Sequence, residues 1–171
     1  RRRQTGRGTV RGIRIVDDFG HHPTAIREAL RGLRQKYRGA RLWALFEPRS
    51  NTTRRRVFQD DLPEALASAD GVCIASVPNP EKVPAEIRLD PDLVVSQLVA
   101  KGVRAFHEPN ADAIVTRMRS EATVIEPPVD TDIFTPGPED AAAPDYDLVV
   151  SALVPYKRID LAIDAANLQG G

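Results

Sequence analysis

Short apolar runs alternate along this chain with stretches of helical period, and that alternation constrains the fold more than any other feature. Ile13-Arg14-Ile15-Val16, Leu42-Trp43-Ala44-Leu45-Phe46, the run over 71–77 and Val103-Arg104-Ala105-Phe106 are of strand length and apolar. Between them Ile26, Ala29, Leu30, Leu33 and Tyr37, then Phe58, Leu62, Ala65, Leu66 and Ala69, recur at helical spacing. Strands that are apolar on both sides, separated by amphipathic helices, need helices over both faces of a mostly parallel sheet. The pattern therefore predicts an α/β, Rossmann-like, three-layer domain. Pro23 suits the first turn of the first helix, Gly39 ends it, and Asp90-Pro91 starts a helix through Leu93, Val94 and Leu98. A further helix passes through Ile114, Val115 and Met118.

Beyond this the texture changes. Pro127-Pro128, Thr135-Pro136-Gly137-Pro138 and Ala141-Ala142-Ala143-Pro144 read as a long loop with little apolar content. Leu148-Val149-Val150 is then a strand, and Ile159, Ala162, Ile163 and Ala166 mark a last helix. We divide the chain into 1–119 and 120–171, with the second part expected to add its strand and helix to the same sheet.

Charge is balanced overall, with 24 basic and 24 acidic residues, yet residues 1–58 hold 16 basic and only 4 acidic ones. A basic front suits an anionic ligand such as a nucleotide, and equally an arginine-rich solvated face. At 5% aromatic content the chain lacks the stacking surface of a nucleic-acid binder, so no nucleic-acid partner is expected. No apolar run approaches the length of a membrane span and no signal segment follows Arg1-Arg2-Arg3, so a cytoplasmic protein without a membrane partner is expected. The one cysteine, Cys73, lies in an apolar run and reads as a core residue.

Polar chemistry concentrates in two places. Asp17-Asp18-Phe19-Gly20-His21-His22-Pro23 stands at the carboxyl end of the first clear strand, where ligands bind in open α/β sheets. Its carboxylates and imidazoles suit a ribose hydroxyl, a phosphate or a metal-bound water, although Asp17 or Asp18 could equally cap the following helix. Glu47-Pro48-Arg49-Ser50-Asn51-Thr52-Thr53-Arg54-Arg55-Arg56 stands at the end of the next strand. Arg49 can clasp a carboxylate while Ser50, Asn51 and Thr52 add polar contacts. A plain polar turn capped by Thr52 or Thr53 accounts for the threonines but not for the arginines. There is no Gly-x-x-x-x-Gly-Lys-Ser/Thr loop, Gly6, Gly8 and Gly12 have the wrong spacing for a dinucleotide fingerprint, and no structural metal spacing is present.

Together, Asp17-Asp18-Phe19-Gly20-His21-His22-Pro23-Thr24-Ala25-Ile26 and Leu45-Phe46-Glu47-Pro48-Arg49-Ser50-Asn51-Thr52 resemble the C-terminal domain of Mur ligases. The Glu-Pro-Arg-Ser-Asn-Thr form resembles the peptidoglycan-recycling branch, which joins UDP-N-acetylmuramate to the tripeptide L-Ala-γ-D-Glu-meso-diaminopimelate. The resemblance covers roughly residues 1–118. It implies an ATP- and Mg²⁺-dependent amide ligase in which Asp18 contacts the nucleotide. His21 and His22 would line the cleft by the phosphates as catalytic residues, and Arg49, Ser50, Asn51 and Thr52 would recognise the peptide. The UDP-binding and P-loop domains of that family are absent from these residues, so the chain alone is expected to be inactive, with a partner chain conceivable as their source. Residues 120–171 resemble instead the start of the donor-binding domain of GT-B glycosyltransferases, where Lys157 matches a lysine that binds the sugar-nucleotide diphosphate. A glycosyltransferase fragment and a non-catalytic binding domain are thus the alternatives.

Overall fold

A computed structural model describes residues 5–10, 13–121 and 147–152. Its six strands are β1 (Thr5–Val10), β2 (Ile13–Asp18), β3 (Arg41–Phe46), β4 (Gly71–Ala75), β5 (Arg104–Glu108) and β6 (Asp147–Ala152). The helices are α1 (Pro23–Lys36), α2 (Asp61–Leu66), α3 (Pro91–Ala100) and α4 (Ala111–Glu121). The sheet order is β1-β2-β6-β3-β4-β5. All neighbours are parallel except β1, which runs antiparallel to β2 with a bulge between Gly6 and Gly8.

The pleat sorts the core into two layers, as expected for an α/β sandwich of this kind. Val16, Leu42, Ala44, Phe46, Val72, Ile74 and Ala105 face one way and pack under Ile26, Leu30 and Leu33 of α1, Leu62 and Leu66 of α2, and Val94 and Leu98 of α3. Trp43, Cys73 and Ala75 face the other way, against Ile114 and Met118 of α4. This division follows from the handedness of crossovers. The chain steps in one direction from β2 through β3 and β4 to β5, which keeps three right-handed connections on one face. It then returns to the middle of the sheet, so the connecting helix must lie on the opposite face.

Several elements depart from the sequence reading. The glycine-rich stretch before β2 forms a strand of its own, which the discounted Gly6 and Gly8 concealed. The apolar stripe from Phe58 to Ala69 predicts one helix, but only Asp61–Leu66 is α-helical, preceded by a 3-10 turn at Arg56–Phe58. Pro63 is the reason: without an N–H it can stand only within the first turn, where backbone N–H groups have no intrahelical partner. The third strand stops at Ala75 rather than Val77. Pro23 and Asp90-Pro91 do start helices, and the Asp90 carboxylate accepts the Leu93 N–H at 3.1 Å. Helix α4 continues through residues 119 and 120, where the two parts of the chain were expected to meet, and Glu121 at its end is buried and paired with Arg104 at 2.7 Å. The segments at 123–125 and 127–144 and the helix over 159–166 lie outside the described residues.

Cys73 is fully buried at the centre of β4. Burial pushes its thiol up to about 12, with Glu108 adding to the rise and Arg117 opposing it. Native protein should therefore resist alkylation that the urea-unfolded chain undergoes at once. The linkage also has a sign. The folded thiol stays protonated where an unfolded one, of ordinary value 9.0, ionises. This contribution is therefore complete below pH 9 and is lost between pH 9 and about 12, at up to about 1.4 kcal/mol per pH unit. Denaturant titrations of Cys73→Ala across that range should show a shallower fall than the parent. An equal slope would contradict the assignment.

Candidate functional site

The carboxyl edge of the sheet carries both polar loops. Asp18 and Phe46 each pair with Ala152, one from either side of β6, so the two loops leave the sheet at the same level. They are not on neighbouring strands, as their closeness in sequence suggests. One strand lies between, which at the usual spacing sets the strand ends about 10 Å apart.

In the first loop Asp18 is buried at 4% exposure and turns back on its own chain, its Oδ1 accepting the Gly20 N–H at 2.6 Å. A Cβ on Gly20 would come 3.0 Å from that oxygen, so glycine permits the tight return. The helix cap is His22 rather than Asp17 or Asp18: its Nδ1 accepts the Thr24 N–H at 3.3 Å. His21 instead directs Nδ1 at the Phe19 carbonyl, 3.2 Å away. A carbonyl only accepts, so in their neutral forms the two imidazoles hold opposite tautomers. His21 keeps a lone pair at Nε2, and His22 keeps a proton there. Both rings are exposed, as is Phe19, while His22 also lies edge-on to Phe58 at 4.9 Å. That contact links the first loop to the segment following the second.

In the second loop Glu47 holds Arg49, Nε to Oε1 at 2.9 Å, and the Glu47 side chain is 11% exposed against 45% for Arg49. The other Glu47 oxygen, Oε2, is buried without a hydrogen-bond partner among the described residues. Arg49 is thus held through Nε and remains 45% exposed, and a guanidinium held in this way can still grip a carboxylate with its terminal nitrogens. Ser50 and Thr53 form a closed turn, hydroxyl to hydroxyl at 2.8 Å, with the Ser50 N–H donating to the Thr53 hydroxyl at 3.0 Å. Ser50 is therefore committed to the turn, and Asn51 accepts from Arg55 at 3.4 Å. Thr52 is exposed.

Of the arginines that a simple turn left unexplained, Arg56 has a structural use for its side chain, while Arg54 and Arg55 join the same segment through backbone groups. Arg55 bridges to Arg88, the Arg56 Nε donates to the Arg88 carbonyl at 3.2 Å, and the Arg54 carbonyl accepts the Leu89 N–H at 3.0 Å. They stitch this loop to the segment leading into α3. Lys157 lies outside the described residues. Among the described residues no group of three or more His, Cys, Asp or Glu side chains could hold a metal ion, and no helix is long and apolar enough to cross a membrane. Ser76, just after β4, and His107, in β5, stand on this edge as well, although no local motif in the sequence marks them.

Comparison with known proteins supports the family and the fold. The chain is 49% identical over 73 residues to the UDP-N-acetylmuramate--L-alanyl-gamma-D-glutamyl-meso-2,6-diaminoheptandioate ligase of Escherichia coli, covering 42% of this chain and 16% of that protein. It is 37% identical over 118 residues to the ligase of the same name from Haemophilus influenzae, covering 63% and 26%. The crystal structure of a murein peptide ligase from Psychrobacter arcticus superposes with a TM-score of 0.65 at 25% identity, over 97% of this chain and 30% of that one. The chain thus spans 16% and 26% of the length of these two curated relatives. Residues 1–125 match the family described as Mur ligase, glutamate ligase domain. On that match, over most of its length, the chain belongs to the Mur ligase family.

Proposed function

We propose that this chain is the C-terminal part of an ATP-dependent amide ligase that joins UDP-N-acetylmuramate to L-Ala-γ-D-Glu-meso-diaminopimelate in peptidoglycan recycling. Alone it would be inactive. The observation that carries the reading is the Glu-Pro-Arg-Ser-Asn-Thr turn, with a half-exposed Arg49 anchored by a nearly buried Glu47 just past the end of β3. In the complete enzyme ATP with Mg²⁺ supplies the phosphate that turns the lactyl carboxylate into an acyl donor.

The residues of this chain would act around that chemistry. Arg49 binds a carboxylate of the incoming peptide, with Asn51 and Thr52 beside it. Ser50 acts indirectly, by holding the turn that carries them. His21 and His22 offer an acceptor and a donor toward the phosphates, and Asp18 shapes the loop that meets the nucleotide. No P-loop occurs in the sequence and no metal-binding cluster among the described residues, so triphosphate and Mg²⁺ would be gripped mainly by other parts of the ligase, or by a partner chain.

Arg49→Ala, placed in a complete ligase carrying this domain, should raise the KM for tripeptide about 10- to 100-fold, the worth of a charge-assisted hydrogen bond. Asp18→Ala should weaken ATP use. Unchanged steady-state kinetics in both would sink these roles. Titrating the 171-residue chain with tripeptide and with a UDP-sugar separates the second reading, a nucleotide-sugar-dependent glycosyltransferase fragment using Lys157 in residues 120–171. UDP-sugar binding without tripeptide binding would favour it.

A further inference from the structure

A third polar group stands on the same edge of the sheet, outside both loops. Ser76 directly follows β4, His107 is the fourth residue of β5, and Asp92 is in the first turn of α3. Ile74 pairs with His107 and lies two residues before Ser76, so pleat alternation puts Ser76 and His107 on the face that α3 covers. The Ser76 Oγ is 2.8 Å from His107 Nε2, and His107 Nδ1 is 2.8 Å from Asp92 Oδ1.

The two contacts fix their own direction. A carboxylate oxygen only accepts, so neutral His107 keeps its proton on Nδ1 and presents the Nε2 lone pair to the serine hydroxyl. Ser76 is then the donor. Nucleophile, base and orienting carboxylate stand in that order, each within hydrogen-bond reach of the next. The imidazole is 22% exposed, sheltered yet accessible, whereas Asp92 is 80% exposed. Water around Asp92 weakens its charge at the ring, so its main effect is to hold tautomer and orientation. Ser76 is also half-buried at a strand end rather than sealed in the core.

We infer that Ser76 is an activated serine nucleophile, directed at electrophilic acyl or phosphonyl centres and independent of the ligase reading. With an alkyl fluorophosphonate, Ser76 Oγ forms a bond to phosphorus and the phosphorus–fluorine bond breaks. Fluoride leaves with the bonding pair, and the hydroxyl proton passes to His107 Nε2 and then to water. With an aryl ester the same oxygen takes the acyl group and a phenolate leaves.

The test treats the 171-residue chain with an alkyl fluorophosphonate and follows intact mass, with peptide mapping of any adduct. One adduct on Ser76 is expected. It should be absent in Ser76→Ala, slower by about 100-fold or more in His107→Gln, the usual worth of a general base, and slowed less in Asp92→Asn. Circular dichroism establishes that each variant is folded. Should a variant unfold, native parent is compared with heat-denatured parent, and Ser76 labelling confined to the native form supports the inference. No Ser76 adduct in the native parent, or one formed equally fast in folded His107→Gln, overturns it and leaves a hydrogen-bonded staple.

Discussion

Ending the chain at residue 146 is expected to abolish its cooperative unfolding transition. The deleted residues include β6, which pairs with β2 at five positions from Arg14 to Asp18 and with β3 at six from Arg41 to Phe46. Without it the sheet divides into the β1-β2 pair and the β3-β4-β5 group, and two interior strands become edges. Each backbone group that loses its partner while still shielded from water costs about 1–3 kcal/mol, and several lose theirs at once against a total stability of about 5–15 kcal/mol. Val149→Pro is the single-residue counterpart. Val149 lies between Ile15 and Trp43, and proline there removes a backbone donor from an interior strand and leaves its acceptor unpaired, at a cost of about 1–3 kcal/mol. Thermal melts by circular dichroism read both variants. A truncated chain that melts as sharply and as high as the parent would show that β6 is dispensable.

Phe46→Ala is expected to cost about 3–5 kcal/mol, the usual loss for a large aromatic removed from a closed core. Phe46 is 0% exposed and belongs to the cluster formed with α1, α2 and α3. For a chain of this size that loss lowers the melting temperature by about 10 °C. The change also has a local reach, because Glu47 follows immediately and holds Arg49. Urea titration gives the stability, and tripeptide affinity in a complete ligase reports whether the loop has shifted. A loss below about 1 kcal/mol would mean that neighbouring side chains close over the gap.

Much of this architecture is legible in the residues. The doubly apolar runs at Leu42-Trp43-Ala44-Leu45-Phe46 and around Cys73 announce strands covered on both faces, and Pro23 and Asp90-Pro91 mark helix starts through chemistry that acts within one turn. What stays hidden depends on distant pairing. The first strand is held by backbone bonds to β2 and has too many glycines to show a pattern. The place of β6 between β2 and β3 depends on which edges meet in space, which periodicity does not encode. The site divides the same way. Arg49 and the histidines stand out because each loop is contiguous, whereas Ser76, Asp92 and His107 come from three separate elements and share no local signature. Asp18 stands out in the sequence as part of a polar cluster, but not that its carboxylate closes on the Gly20 N–H.

The central position of β6 also sets a timetable for the newborn chain. Arg14 can meet Leu148 only after nearly all of the described chain has been made, and until then β2 and β3 have no strand to join them. Closing so long a loop is slow, and open strand edges left waiting at the ribosome invite mispairing. The domain should therefore fold late and in one step, with the carboxyl edge of its sheet assembled only when that last strand arrives.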